Sequence, residues 1–309
     1  MLNRLSPLLL NLLVCPMCRG SLNLSLRQAE CRQCGAMYPS ATDGRPDLRL
    51  PRNWRCTIEA LLGDRTVAGR AGARFRPIRP NPSPQLDYRS IRIPSRLFRG
   101  NRLTRQLLSY FPHSAAGGVM LDLGCGLQEC QPLIEHTGLE YVGLDREGPA
   151  MLLADAHALP FRDNSFDFLI AFAVLEHLRF PPVALREAWR VLKPGCLLIG
   201  TAAFLEPWHQ DSYWHPSPLG IHDALAGSGF DIRQMECNTS WHGLRAQACM
   251  SLFPGAPRLL SDTLVLPLLL LSRSWWRLRH WASHRRSFSE DDRQLANAGG
   301  FRFVAEKQL

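Results

Sequence analysis

Apolar positions along the chain follow several distinct patterns. Val119-Met120-Leu121 and Tyr141-Val142-Gly143-Leu144 are short apolar runs leading into Asp122-Leu123-Gly124 and Asp145. Runs of that length bounded by turn signals predict buried strands. Met151-Leu152-Leu153-Ala154-Asp155 and the stretch from Asp167 to Phe172 predict two more. Leu22-Asn23-Leu24-Ser25-Leu26 instead alternates apolar and polar, as one arm of a small hairpin does. Helical spacing recurs at Leu97, Phe98, Leu103, Leu107 and Leu108, and helix-compatible sequence begins near Gln128 and at Pro218 to Ser228. Leu5 to Val14 predicts a short amphipathic helix or strand, and Gly300 to Val304 a last strand.

The 309 residues are 46% hydrophobic and 20% charged, which excludes global disorder and collagen-like structure. No run of roughly 18 uninterrupted apolar residues occurs, so a transmembrane span is not expected. The net charge of +9 is local: 11 Arg lie between Arg65 and Arg105 against one acid, Asp87. Such a segment suits the phosphates of RNA or anionic lipid, or is a solvated linker. Residues 51–95, rich in Pro and Arg, read as that linker.

Ten Cys are present, and four of them have metal-ligand spacing. Cys15-Pro16-Met17-Cys18 and Cys31-Arg32-Gln33-Cys34 are separated by twelve residues. Two residues between thiols let both sulfurs of a knuckle reach one tetrahedral ion, and four thiolates close a structural zinc shell. Gly20 and Gly35 follow the knuckles, where positive φ is expected. The other six Cys are scattered among apolar sequence, as in a reducing compartment. The opening residues lack a small-residue cleavage site, so a cytoplasmic protein is expected.

Leu121-Asp122-Leu123-Gly124-Cys125-Gly126 is a strand opening into a glycine loop that a ligand can approach closely. The second strand ends in Asp145, an acid suited to a ribose diol. A nicotinamide site would want a third Gly, where Glu129 stands.

CPMCRGSL, CRQCGAMYP and DGRPDL resemble the zinc-ribbon activators of tRNA and protein methyltransferases. LDLGCG, VGLD, ADAHALPF, FDFLIAFAVLEHL and EAWRVLKPGCLLIG then resemble, in order, the motifs of class I S-adenosylmethionine-dependent methyltransferases. The resemblance implies an α/β fold: a doubly wound, Rossmann-like, mostly parallel sheet with an antiparallel strand near the C-terminus, preceded by a small zinc ribbon. It implies domains at 1–50 (ribbon) and 96–309 (methyltransferase). It implies S-adenosylmethionine as cofactor, with Asp122, Gly124 and Gly126 cradling the methionine part and Asp145 on the ribose. Asp155 and Ala156 would meet the adenine, and Ala171 and Phe172 would line the pocket near the sulfonium.

One departure stands out. Only Arg146-Glu147-Gly148-Pro149-Ala150 separates the second and third strands, where parallel neighbours usually need a helical crossover of a dozen residues. One sheet face should therefore be thinner. Residues 204–216 gather His209, Asp211, Tyr213 and His215, which with His177 are the candidate substrate-contacting residues. Residues 259–281 are apolar, then Trp- and Arg-rich, and read either as a buried helix pair covering the sheet or as a peripheral membrane contact. Asp262 and Pro267 interrupt the run, so a membrane helix here would lie on a bilayer and not cross it; the buried pair is the preferred reading.

The expected activity is methyl transfer to a small-molecule, glycan or lipid-linked acceptor. RNA is the competing acceptor, gripped by ribbon and linker, and a cofactor-binding scaffold without catalysis is the third reading. No Asn-Pro-Pro-Tyr-like base-methylation motif follows the fourth strand, which favours the metabolite.

Overall fold

A computed structural model describes residues 5–51, 54–55, 75–79, 103–112, 117–282 and 289–308. Helix α1 (Pro7–Leu12) opens the chain, capped by the Ser6 side chain, which accepts from the Leu9 N–H. Strands β1 (Leu22–Leu24), β2 (Gln28–Cys31) and β3 (Met37–Pro39) form a small antiparallel sheet, so the alternating Leu22–Leu26 segment is a hairpin arm as its pattern predicts.

The next strands are β4 (Asp47–Leu48), β5 (Val119–Leu123), β6 (Glu140–Asp145), β7 (Leu152–Ala154), β8 (Phe166–Phe172), β9 (Leu192–Ala203), β10 (Phe230–Cys237) and β11 (Gly300–Lys307). They build one eight-stranded sheet in the order β10-β11-β9-β8-β5-β6-β7-β4. Every pair from β9 to β4 is parallel, and β11 lies antiparallel between β9 and β10. This is the doubly wound, Rossmann-like sheet expected. All five residues of β5 are buried, as strands covered on both faces require.

The short crossover has a simple geometric cause. β7 does not return to the start of β6: Leu152 pairs with Leu144 and Leu153 with Asp145, so β7 begins level with the end of β6. A loop of six residues therefore suffices. The N-terminal segment covers what the missing helix would have covered. Leu5, Leu9 and Leu13 belong to the same apolar core as Val142, Leu144 and Leu152, and Ser6 Oγ donates to the Glu140 carboxylate. β4 then adds to the free edge of β7 in parallel. The chain from Leu13 to Val14 is also pinned, with the Val14 N–H on the Pro160 carbonyl at 3.0 Å and the Arg162 N–H on the Leu12 carbonyl at 2.9 Å.

Helices α2 (Arg105–Leu108), α3 (Pro181–Val191), α4 (Pro218–Ala226), α5 (Gly243–Gln247), α6 (Arg258–Ala282) and α7 (Glu290–Asn297) complete the described chain. Three expectations change here. The helix expected from Gln128 is only a 3-10 turn, Gln131–His136. Of the helix expected over 95–110, only Arg105–Leu108 lies within the described residues as helix. The Arg-rich linker lies mostly outside the described residues, although Ile78 exchanges two 2.8 Å backbone hydrogen bonds with Met235 of β10.

The largest correction concerns 259–281. The buried pair is instead one helix of 25 residues, α6, running through Pro267. Ser261 and Val265 are buried on it, while Leu259, Leu268, Leu271, Trp275 and Trp281 are all exposed. The core closes without this helix, which is held near its start by Arg245 Nε on Asp262 Oδ1 at 2.6 Å. Among the described residues no helix is long and apolar enough to cross a membrane.

Candidate functional site

The four knuckle thiols converge. Cys15 and Cys34 Sγ are 3.8 Å apart and Cys18 and Cys31 Sγ 3.4 Å, and all four lie within 4.8 Å of one another. Disulfides would bring sulfurs to about 2.05 Å. A tetrahedron with Zn–S near 2.3 Å separates sulfurs by about 3.8 Å, so the set has the dimensions of a four-thiolate site. Gly35 takes the positive φ expected, 70°. Gly20 does not, and its need for Gly is different: a Cβ there would lie 2.7 Å from Gln33 Cβ and 3.1 Å from Cys31 Sγ.

A cavity of about 840 Å³ opens at the carboxyl ends of β5, β6 and β8, within the size range of small-molecule sites. One end is lined by Asp122, Gly124, Gly126, Leu144, Asp145 and Ala156. Its other end is lined by Phe172, His177, Glu206, His209, Trp241 and Met250.

The glycine loop turns at the end of β5 with Gly124 at φ 67° and Gly126 at φ 51°. A Cβ on Gly124 would meet Val174 at 2.6 Å, whereas one on Gly126 would meet nothing within 4 Å. The main chain at Gly126 is thus open to a ligand, and its N–H donates to Asp145 Oδ2 at 2.9 Å. Asp145 Oδ1 accepts the Arg146 N–H at 2.6 Å, and each carboxylate oxygen retains acceptor capacity. Asp122 is buried, its Oδ2 accepting from Tyr141 Oη at 2.6 Å. Burial raises its pKa to about 7 against that hydrogen bond, with Asp145 adding to the rise.

Two of the residues expected at the cofactor do not line the cavity. Asp155 is engaged by its neighbour: Oδ1 accepts from the His157 N–H at 3.0 Å and from Nδ1 at 2.6 Å. That tautomer follows from the Phe180 N–H donating to His157 Nε2 at 3.1 Å. Burial opposes ionisation of Asp155, but these bonds outweigh it and lower its pKa. Ala171 is buried inside β8, and only Phe172, at the strand end, reaches the cavity.

The expected substrate-contacting set also divides. His177 and His209 line the cavity with ring centroids 5.3 Å apart. His215 stands behind His209 at 5.7 Å, its Nε2 within 3.1 Å of Ser212 Oγ. Burial and the His209 ring lower the pKa of both His177 and His215. Asp211 and Tyr213 are exposed and do not line it. Tyr213 instead lies under Arg179, whose Cζ is 5.4 Å from the ring centroid. The loop over the cavity is latched from below, because the Tyr213 and Trp214 N–H groups both donate to the Glu176 carbonyl, at 2.7 and 3.2 Å. Gln210 and Asp211 both hold positive φ, 41° and 57°, a strained non-glycine turn at the cavity rim.

Two acids outside the candidate substrate-contacting set join this end of the site. Glu206 sits at the cavity wall with its carboxylate accepting from Trp241 Nε1 at 2.7 Å. Glu176 is fully buried beside His177 and His209. Burial raises both pKa values, that of Glu176 to about 8, with Glu206 adding to it. The only sequence signal was adjacency: Glu176 precedes His177, and Glu206 lies three residues before His209.

Comparison with known proteins bears on this site. Residues 121–200 match the family model of the methyltransferase domain. A demethylmenaquinone methyltransferase of Renibacterium salmoninarum is 33% identical over 118 residues, 34% of this chain and 49% of that protein. A tRNA (carboxymethyluridine(34)-5-O)-methyltransferase of Arabidopsis thaliana is 31% identical over 129 residues, 37% of this chain and 31% of that protein. The solved structure of Haemonchus contortus phosphoethanolamine N-methyltransferase 2 with S-adenosyl-L-methionine is 20% identical, with a TM-score of 0.43 over 69% of this chain and 54% of that one. The chain spans about half the length, or less, of the curated relatives it matches. The match over 121–200 falls on the part of the sheet that carries the glycine loop and Asp145, so this segment is similar to a methyltransferase domain.

Proposed function

We propose that this protein transfers a methyl group from S-adenosylmethionine to a small-molecule, glycan or lipid-linked acceptor. The observation that carries the reading is a single cavity joining the Gly124–Gly126 loop and Asp145 at one end to His177, Glu206 and His209 at the other. The residues fit the cofactor: an unobstructed main chain at Gly126, a carboxylate at Asp145 and the buried Asp122 beside them. The sulfonium of the cofactor supplies an already activated methyl group. The chain's part is alignment and exclusion of water. Asp145 would hold the ribose hydroxyls, and Ala156 and Phe172 would pack the adenine and the sulfonium region. His177 and His209 would bind polar atoms of the acceptor, and Trp241 and Met250 its apolar body.

Two further assignments support the reading. The Cys15, Cys18, Cys31 and Cys34 cluster would hold a structural zinc, leaving no position for catalysis. The exposed Leu and Trp side chains of α6, with Arg273, Arg277 and Arg279 beside them, suit the surface of an anionic bilayer, where a lipid-linked acceptor resides. The Arg-rich segment and the tRNA-modifying relative favour RNA as the second reading.

Incubation with methyl-labelled S-adenosylmethionine and cell extract fractionated into RNA, lipid and soluble material tests this. Label in the lipid or soluble fraction is the expected result. Label confined to RNA would replace the acceptor class, and no incorporation by cofactor-binding protein would favour a scaffold.

A further inference from the structure

Glu176 is fully buried, and neither carboxyl oxygen has a well-aligned hydrogen-bond partner, with only the backbone N–H groups of Glu176 and Ala203 close to it. An isolated buried carboxylate is costly, and such groups are ordinarily paired or bound to a cation. Its surroundings are donors for a metal. One ligand atom each from Glu176, His177 and His209 lies within 4.8 Å of the others.

The tautomer of His209 sharpens the point. Its Nδ1 lies 2.8 Å from the Pro207 carbonyl oxygen, which can only accept, so Nδ1 carries the proton. In the neutral ring Nε2 is then a bare lone pair, and it faces Glu206 Oε2 at 3.8 Å. A lone pair directed at a carboxylate is repulsive unless a proton or a metal ion lies between them. A backbone carbonyl fixing the far nitrogen of an imidazole is also the usual orienting contact of a histidine ligand.

We infer that Glu176, His177 and His209 form a binding site for a divalent transition ion of the zinc class at the acceptor end of the cavity. Two imidazoles and one carboxylate leave at least one coordination position free. Because His177 and His209 line the cavity and Glu176 lies behind them, that position faces the acceptor. An acceptor oxygen, hydroxyl or carboxylate, is the ligand it would take. This site is separate from the thiolate cluster, whose four positions are all filled by Cys. The acceptor's use of the ion rests on the methyl-transfer reading, whereas ion binding does not.

The test is metal content of the full-length protein after equilibration with zinc and removal of free ion. The same measurement follows for Glu176→Gln and His209→Ala, with thermal unfolding run in parallel. Each variant should lose about one equivalent relative to the unsubstituted chain, because the site holds a single ion. Cobalt substitution assigns the loss: the thiolate charge-transfer band should persist in both variants while the remaining visible absorption falls. His209→Ala guards against a folding failure of Glu176→Gln, since His209 is only half-buried in a loop. Unchanged metal content in folded His209→Ala overturns the site, as does complete loss of metal from Cys31→Ser under conditions where that variant is shown to be folded. Ion binding without methyl transfer to any fraction would overturn the methyl-transfer reading and leave the site standing.

Discussion

Arg45 Nη1 donates to the Gly148 carbonyl at 2.9 Å, and the same guanidinium group reaches the Ala150 carbonyl. One residue of the N-terminal module thus clamps the second half of the loop that replaces a crossover helix. Arg49 adds a 3.2 Å hydrogen bond to the Arg146 carbonyl, next to Asp145. The loop bearing the ribose-side acid is therefore held in shape from outside the methyltransferase motifs.

Arg45→Ala should accordingly destabilise the protein by about 1–2 kcal/mol, the range for charge-assisted hydrogen bonds that are partly solvated. The urea unfolding midpoint measures this. An unchanged midpoint would mean that the loop keeps its conformation by itself.

Removal of the metal should reach further than the ribbon. Leu9, Cys15, Cys31, Tyr38 and Leu48 lie in the same apolar core as Val142 and Leu152, and β4 is a strand of the main sheet. Cys31→Ser, which removes the ribbon's ion and leaves the His177 and His209 side chains in place, should lower the unfolding temperature of the whole chain and weaken cofactor binding by at least a few-fold. Calorimetric titration of that variant checks it, and full affinity would show the ribbon to be energetically separate.

Asp145→Ala should weaken S-adenosylmethionine binding by about 1–3 kcal/mol, since it removes charge-assisted hydrogen bonds and the acceptor for the Gly126 N–H. Asp155→Ala should cost far less affinity, because Asp155 is engaged by His157. Equal losses in the two variants would return Asp155 to the cofactor.

Asp122 gives a pH dependence whose sign is fixed. Its folded-state pKa is raised from 3.8 to about 7, so between these values the folded chain keeps a proton that the unfolded chain has released. Stability from this group is full below about pH 4 and is lost as pH rises towards 7, with an upper bound of roughly 4 kcal/mol. Cofactor-free Asp122→Asn should flatten that decline in unfolding experiments from pH 4 to 7. A parallel slope in both proteins would assign it to other groups.

Local chemistry made much of this legible in the sequence. The spacing of the Cys pairs, the glycine loop after an apolar run and the acid ending β6 each express a constraint within a few residues. The buried Glu176 and the pairing of Asp155 with His157 depend on contacts assembled by the fold, and no local pattern announces them. α6 was not legible as an exposed helix because an apolar run does not say by itself whether the fold covers it. In the fold Asp262 pairs with Arg245, and Pro267 is accommodated within the helix.

That helix gives the last prediction. Leu259 and Trp281 are each 81% exposed, Leu271 is 67% and Trp275 61%, so apolar side chains face water along most of the helix. No Asp or Glu occurs between Asp262 and Glu290, while Arg273, Arg277, Arg279, Arg285 and Arg286 do. An apolar surface with Trp and Arg at one end gains both acyl-chain burial and attraction to anionic headgroups. A second copy of the chain would bury the leucines but would repel the arginines. Flotation with vesicles containing an anionic phospholipid should therefore carry the protein upward, less so at high salt, and hardly at all with vesicles of zwitterionic lipid alone. Leu271→Glu with Trp275→Glu should abolish flotation while leaving the unfolding temperature within a few degrees, because both side chains are exposed. Sedimentation as a dimer that these substitutions dissolve, without vesicle binding in the original protein, would show that the surface meets another copy and not a bilayer.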